Sequence, residues 1–293
     1  MTEKTTPDWT RLGLIAGGGD LPVEILRGLE GEAPFVVSLK GMVDRDFGDV
    51  DGVSLSMGEI GGAIKAFRKA GCDAVCFAGY ATRPDFKSLR MDARGLAMLP
   101  RVLAAAKSGD DALLRVVIGE FERDGFRVLG ADEVLAHLTP EAGLFGAETL
   151  TGEQEADAAK AMHVAAEIGR LDIGQGAVVA HGVVLAVEAQ EGTNAMLERA
   201  GSLPRELRGP EGERCGVLAK CPKPIQERRI DLPTIGVDTV KRCDAAGLAG
   251  IVLEAGGALI VNRPAVLDAL ERAGLFLLVR APETPAITGP EAA

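Results

Sequence analysis

Two hydrophobic periods alternate through the first half of the chain, and this alternation limits the fold more than any other feature. "RLGLIAGG" (11–18), "APFVVSL" (33–39), "DAVCFAG" (73–79) and "FRVLGA" (126–131) are apolar runs of strand length, too short for helices. Between them, "LPVEILRGL" (21–29), "GEIGGAIKAFRKAG" (58–71) and "DALLRVVIGEFERDG" (111–125) place apolar residues three and four apart and run into glycine, which suits the left-handed position after a helix. Strands and helices alternating in this way build a parallel sheet with right-handed crossovers.

A seam follows at "HLTPEAGLFGAETLTGEQE" (137–155), rich in Gly, Thr, Pro and Glu and lacking either period. It predicts a linker, and hence an N-terminal Rossmann-like domain over 1–138 and a C-terminal α/β domain over 139–293 that carries most of the chemistry. The second half repeats the theme. A helix near 153–170 precedes two strands in "GAVVAHGVVLAVEA" (176–189), a short helix after "EGTN" (191–194) and a strand at 216–220. A helix near 238–246 closed by Gly247, a strand "GIVLEAG", a helix "PAVLDALERAG" (264–274) with Pro in its first turn and a closing strand "LFLLV" complete it. The fold class is therefore α/β with two lobes, and a cleft between lobes is the default place for a small ligand.

A chain of 293 residues is long enough for two cores, and 47% hydrophobic content with 38 glycines and few aromatics suits an α/β enzyme. The net charge of -11, with no basic block and a single Trp and Tyr, argues against a nucleic-acid partner but leaves room for a locally basic site that takes an anion. Five cysteines, at 72, 76, 215, 221 and 243, lack metal-knuckle spacing and read as reduced, mostly buried thiols of a cytoplasmic protein. The start "MTEKTTPDWTRLG" shows no secretory signal, and no apolar run has the length of a membrane span.

Four stretches carry chemistry. "GLIAGGGDLP" (13–22) puts Gly17, Gly18, Gly19 and Asp20 between a strand and a helix, where free amides and the helix end favour a phosphate or sugar nucleotide; a tight strand-to-helix turn is the plain alternative. Pro22 stands where a dinucleotide fingerprint needs its third glycine, and the second strand ends in Ser38 and Lys40, which disfavours NAD. "SGDDALL" (108–114) offers Asp110 and Asp111 either as a metal or water-activating pair or as a helix N-cap and dipole partner. Glu188 ends an apolar strand, with Glu191, Thr193 and Asn194 in the following turn; Thr193 also reads as a simple N-cap. In "GVLAKCPKPIQERRIDLPTIG" (216–236), Lys220, Lys223, Arg228 and Arg229 surround Asp231. Those cations suit a diphosphate, and Asp231 with Glu188 or Glu191 suits the orientation of an attacking water, with a metal ion bridging the phosphate oxygens. The histidines at 137, 163 and 181 lack zinc spacing, and His181 is the one placed to line a cleft.

Taken in order, "GLIAGGGDLP", "GDDALL", "AVVAHGVVLAVEAQEGTNAML", "KCPKPIQERRIDLPTIG" and "AGLAGIVLEAG" resemble the LpxI-type UDP-2,3-diacylglucosamine pyrophosphatases of lipid A biosynthesis, from about residue 11 to 280. The resemblance implies Mg²⁺-dependent hydrolysis of UDP-2,3-diacylglucosamine to UMP and the acylated sugar phosphate lipid X, with the substrate held between two lobes. It places Asp231 on the family's D-x-P acid and Lys220, Gln226 and Arg229 on its K...Q-x-x-R pattern. Glu188 and Glu191 fall on its E-x-x-E-G-T segment, and Asp110 and Asp111 on its acidic pair. On this reading Asp231, Lys220, Arg229 and Gln226 are catalytic. Asp231, Glu188, Glu191, Asp110 and Asp111 are metal ligands, and Lys223, Arg228, Thr193, Asn194, His181 and the glycine loop bind substrate. Asn194 and Glu227 stand where the family pattern has Asp, which weakens metal roles there. The acylated substrate implies transient contact with the inner leaflet, with "AMLPRVLAAAK" (97–107) and "GLFGAETL" (143–150) as candidates for acyl contact; a homodimer is compatible with all of this. Two other classes remain at this point, a non-catalytic sugar-nucleotide sensor and an NAD-dependent oxidoreductase.

Overall fold

The computed structural model describes residues 8–282 apart from 30, 83, 84, 87, 108, 211, 225 and 226. Backbone proximity divides the chain into two units, Met1–Leu138 with Ile225–Leu232, and Thr139–Pro224 with Pro233–Ala293. The basic stretch flagged in the sequence is thus shared out: Lys220 and Lys223 belong to the second unit, Arg228, Arg229 and Asp231 to the first.

The first unit runs β1 (Leu12–Ala16), α1 (Leu21–Gly28), β2 (Phe35–Leu39), β3 (Gly52–Leu55), α2 (Ile60–Ala70), β4 (Ala74–Ala78), α3 (Ala93–Ala105), α4 (Asp110–Arg123), β5 (Arg127–Leu129) and α5 (Ala131–Val134), then a 3₁₀ turn at Ala136–Leu138. Its strands form one sheet in the order β3-β2-β1-β4-β5, all pairs parallel, as the alternation requires. The order reverses at β1, so the ends of β1 and β4 open onto the crevice where such sheets take ligands.

Central β1 is buried along its whole length. Gly13 within it is dictated by packing, because a Cβ there would lie 2.6 Å from Cδ1 of Phe67. Phe67, on α2, is fully buried at the middle of an aromatic cluster, with ring centroids 6.1 Å from Phe35, 6.3 Å from Phe121 and 6.2 Å from Phe126. α2 ends on Gly71 in the left-handed region, φ 78°, as its sequence suggested. α3 and α4 are joined by a buried carboxylate. Glu120 on α4 receives Arg94 Nε at 3.0 Å and Arg101 Nη2 at 2.8 Å from α3, and Arg123 Nη1 at 2.8 Å from its own helix. Burial raises the Glu120 pKa, but these guanidinium bonds outweigh it and leave the group below its ordinary value.

The second unit contains β6 (Gly143–Phe145), α6 (Gly152–Arg170), β7 (Gly176–Ala180), β8 (Val183–Val187), α7 (Gly192–Gly201), α8 (Arg205–Arg208) and β9 (Val217–Lys220). β10 (Thr234–Ile235), α9 (Val237–Ala246), β11 (Gly250–Glu254), β12 (Leu259–Ile260), α10 (Arg263–Ala273) and β13 (Phe276–Arg280) follow. The main sheet has the order β6-β13-β11-β9-β7-β8. β13, β11 and β9 are parallel, while β7 is antiparallel to both β9 and β8, so β8 again runs with β9. Within the seam read as linker, three residues form the antiparallel edge strand β6 against β13. A glycine again lies under an aromatic ring: Gly250 pairs in register with Phe276, whose ring is 2.5 Å from where a Cβ would be.

Cys72, Cys76, Cys221 and Cys243 are buried free thiols, and Cys215 is half-buried. Burial pushes the thiols of Cys76, Cys221 and Cys243 up to about 12, which leaves them protonated and inert at neutral pH.

The Gly13–Phe67 contact is testable by coupling. Gly13→Ala should destabilise the protein by about 1–3 kcal/mol through overpacking. Combined with Phe67→Leu, the loss should fall short of the sum of the single losses, read from urea midpoints at constant slope. Strict additivity would show that the ring does not occupy the glycine's space.

Candidate active site

At the carboxyl ends of β1 and β4, the glycine loop is a tight turn stitched to the neighbouring segment. Gly17 N–H donates to Ala78 O at 2.8 Å, Gly18 N–H to Tyr80 O at 2.9 Å, and Tyr80 N–H returns a bond to Gly18 O at 3.0 Å. Gly19, at φ 87°, donates to Asp44 Oδ1 at 2.8 Å. Tyr80 Oη donates to Asp44 Oδ2 at 2.9 Å. A Cβ on Gly17 would lie 2.4 Å from Tyr80 O and one on Gly18 2.5 Å from Tyr80 Cζ, so close approach of the 79–80 segment explains both glycines. The amides of all three glycines therefore have partners within the protein. Asp20, the N-cap residue of α1, accepts Arg45 Nε at 2.6 Å. The Gly19 amide and Tyr80 hold the Asp44 carboxyl below the usual range, and the bond to Asp44 raises the Tyr80 phenol.

The segment carrying Asp231 is fixed in the first unit by a charged knot. Asp111, in the first turn of α4, accepts the Glu227 backbone N–H through Oδ1 at 2.6 Å and Arg115 Nε through Oδ2 at 2.7 Å. Arg229 donates to Glu227 through Nε at 2.8 Å and Nη2 at 3.0 Å, and to Glu122 Oε1 through Nη1 at 2.7 Å. The N–H groups of Ile230 and Asp231 both donate to Glu227 O at 3.2 Å, closing a turn. Ile230 packs on the aromatic core, and half-buried Asp231 follows it. Arg229, expected among the catalytic cations, is engaged by Glu227 and Glu122, and Glu227, set aside in the sequence, is the node of the turn. Only the spacing Glu227-x-Arg229 hinted at this. Arg228 is exposed. Asp110 is the first residue of α4, the N-cap being Gly109, and its side chain lies outside the described residues, as does Gln226.

In the second unit, Glu188, Gly176 and Lys220 stand side by side at one end of the sheet. Glu188 N–H donates to Gly176 O at 2.8 Å, and Gly176 pairs in register with Lys220. Glu188 and Lys220 are each only 6% exposed, a degree of burial that charged side chains reach when a partner or function requires it. Thr193 Oγ1 donates to Glu188 Oε1 at 2.7 Å. Glu188 Oε2 has no hydrogen-bond partner and lies 2.7 Å from where a Cβ on Gly176 would sit. Lys220 Nζ reaches Thr234 O at 3.4 Å.

Thr193 is therefore not an N-cap; that position in α7 is held by Glu191 without a side-chain bond, and Glu191 pairs with Arg199 at 2.8 Å. Lys223 Nζ pairs with Asp172 at 2.7 Å, and Asn194 is exposed on the first turn of α7. His181 does not join this group. It sits at φ 50° in the turn between β7 and β8, at the end of that hairpin away from Glu188, with its N–H on buried Asp157 and its Nδ1 on Glu153.

Among the described residues no three His, Cys, Asp or Glu side chains converge as a metal site. The donor chemistry nevertheless fits Mg²⁺, which is usually held by one or two carboxylates plus substrate phosphates. The unpartnered Glu188 oxygen, which is costly to leave without a counter-charge, is the observation that fits.

A doubly wound unit and a mixed-sheet unit, with charged side chains gathered at strand carboxyl ends, define a two-unit α/β enzyme. The sequence places it more narrowly. Residues 11–138 match the model of the LpxI N-terminal domain and residues 141–278 that of the LpxI C-terminal domain, so the chain belongs to the LpxI family. It is 55% identical to the UDP-2,3-diacylglucosamine pyrophosphatase LpxI of Caulobacter vibrioides over 270 residues, 92% of this chain and 96% of that protein. Among solved structures, CobK precorrin-6A reductase aligns over 94% of this chain and 90% of its own at 12% identity, with a TM-score of 0.32, too low to indicate a shared fold.

The Asp111–Glu227–Arg229 knot predicts a pH signature. The hydrogen bond from Arg229 holds Glu227 below its ordinary 4.5. A carboxyl lowered on folding contributes stability above its unfolded value and loses it as pH falls through the folded one. Glu227→Gln should therefore be less stable than wild type at neutral pH, with the gap closing as pH drops below 4.5. Chemical denaturation across this range checks it, and a gap independent of pH would contradict the assignment.

Proposed function

We propose that this protein hydrolyses the diphosphate of UDP-2,3-diacylglucosamine to UMP and 2,3-diacylglucosamine 1-phosphate, lipid X, in lipid A biosynthesis, with Mg²⁺ as cofactor. The observation that carries this reading is the 55% identity, over 92% of the chain, to a relative that bears the name of this activity. The geometry of each unit supports it.

Asp231 is the group that orients and deprotonates the attacking water. Its turn is held by Glu227 O, by Asp111 on the Glu227 amide and by Ile230 in the core, so little reorganisation accompanies the reaction. Lys220, buried at the end of β9, neutralises phosphate oxygens in a site where charge is poorly screened by water. Arg228, exposed beside Asp231, adds a second cation. Glu188, fixed by Thr193 through one oxygen, offers the other to Mg²⁺. When bound, Mg²⁺ supplies charge neutralisation of the diphosphate. Arg229 supports the chemistry by clamping Glu227.

No helix among the described residues is long and apolar enough to cross a membrane. The acylated substrate is reached by transient contact of a cytoplasmic protein with the inner leaflet, where exposed Leu96 and Leu103 on α3 offer apolar surface.

The decisive test measures UMP release from UDP-2,3-diacylglucosamine by wild type and Asp231→Asn, with and without EDTA, alongside substrate binding. The expected result is Mg²⁺-dependent turnover by wild type and a loss of about 10²–10⁴ in rate by the variant with binding retained. Wild type that binds the nucleotide sugar and never cleaves it would make the protein a sensor. Flotation with liposomes should recover a fraction of the protein when substrate is present; complete absence from the lipid layer would remove the membrane element.

A further inference from the structure

The amides of the glycine loop, read from the sequence as a phosphate cradle, are all engaged within the protein, and the chemistry above does not use the loop. What it does instead is seat Tyr80, the single tyrosine of the chain, in the segment that follows β4. The backbones of Gly18 and Tyr80 exchange hydrogen bonds at 2.9 and 3.0 Å. The ring lies along the glycines: a Cβ on Gly18 would come within 2.5 Å of Cζ and 2.8 Å of Cε1, and one on Gly19 within 3.4 Å of Cδ1. Tyr80 Oη donates to Asp44 Oδ2 at 2.9 Å, and Asp44 is itself held by the Gly19 amide at 2.8 Å and by Arg45 at 3.3 Å.

Fixed at its backbone and at its hydroxyl, the residue is nevertheless 56% exposed. Immobilising a side chain costs rotamer entropy, which burial normally offsets; here more than half of the residue faces solvent. A rigid aromatic surface left open at the carboxyl ends of β1 and β4, where the strand order of the sheet reverses, is a prepared seat for a flat ring. We infer that Tyr80 is the platform on which the uracil ring of the substrate stacks. The inference rests on the function proposed above and deepens it by giving the base its place.

The chemistry of the two rings in the substrate favours the base. Uracil is flat and bare on both faces, which suits stacking on an aromatic side chain. The glucosamine carries acyl groups on two adjacent ring carbons, and these crowd its faces. At the Oη end of Tyr80, beyond Asp44, exposed Arg45 and Asp20 bond each other at 2.6 Å and supply a donor and an acceptor. The uracil edge, an N–H between two carbonyls, calls for both kinds of group. The position also suits the reaction. The turn that carries Asp231 rests on the end of β5: Arg229 Nη1 reaches Val128 O at 3.5 Å, and Arg229 Cα lies 3.4 Å from where a Cβ on Gly130 would be. β5 pairs directly with β4, so the platform and the acid's turn stand at the same edge of one sheet, on neighbouring strands. In the substrate, one ribose and one phosphate separate the base from the P–O–P bridge that breaks, a span that neighbouring strand ends can serve.

The test measures calorimetric binding of three ligands to wild type, Tyr80→Phe and Tyr80→Ala, with thermal unfolding of each protein. The ligands are UMP, ribose 5-phosphate, which lacks the base, and 2,3-diacylglucosamine 1-phosphate. Tyr80→Ala should bind UMP about tenfold or more weakly, the effect of deleting one base–aromatic stack, and keep wild-type affinity for the other two. Tyr80→Phe, which retains the ring, should keep most of the UMP affinity. Because the chain has a single tyrosine, ring-labelled wild type gives one set of tyrosine signals in NMR. These should shift on addition of UMP but not of ribose 5-phosphate, and this arm decides if Tyr80→Ala fails to fold. Equal losses for UMP and ribose 5-phosphate would reduce the ring to an anchor of its loop, and a loss confined to the diacylglucosamine phosphate would move it to the sugar; either result overturns the assignment. A folded Tyr80→Ala that binds UMP as tightly as an active wild type overturns the platform alone. Wild type that neither releases UMP from UDP-2,3-diacylglucosamine nor binds it overturns the platform together with the proposed function.

Discussion

Phe67 packed into the space left by Gly13 is the contact on which the first unit depends. It sets the distance between α2 and central β1, and it brings Phe35, Phe121 and Phe126 together around one ring. The same core receives Ile230, the residue before Asp231. The placement of the proposed catalytic acid is thus an outcome of core packing: a shift of the aromatic cluster moves Ile230, and Asp231 with it. Close packing transmits small displacements in this way because a filled interior has few alternative arrangements.

Electrostatics then sorts the charges into two groups. Arg229 is engaged by Glu227 and Glu122, Lys223 by Asp172, and Glu191 by Arg199, all with good geometry. These pairs hold turns and loops in place. Glu188 and Lys220 differ from them, being buried at the strand ends with weaker satisfaction: one oxygen of Glu188 is unpartnered, and Lys220 has a long contact to a backbone carbonyl. A buried charge without full compensation is held by the fold against a cost, and such groups concentrate where a ligand completes them.

The alternation of strand and helix in the first half was legible because the runs are long and periodic, and β1, β2, β4 and β5 all lie within the expected stretches. The exposed edge strand β3, three-residue β6 and the two-residue pair β10 and β12 were not, since strands so short or so exposed leave no alternation to read. The candidate site shows the same boundary. Glu188 stood out as an acid ending an apolar strand, and it is a buried residue with an unsatisfied oxygen. Thr193 read equally well as a cap, and only the bond to Glu188 distinguishes the two roles. His181 looked like a cleft residue because its turn interrupts two apolar strands, but the hairpin directs it to the end away from Glu188.

The sequence by itself determined the fold class, the parallel first sheet, the buried thiols and the family, because each depends on local period, composition or ordered motifs. Tertiary structure alone decided which distant side chains meet in ion pairs. The sequence does not show that Arg229 is locked to Glu122 on α4 as well as to its neighbour Glu227. The physical reason is that an ion pair depends on distance and burial, and residues a hundred positions apart in the chain acquire both only when the chain folds.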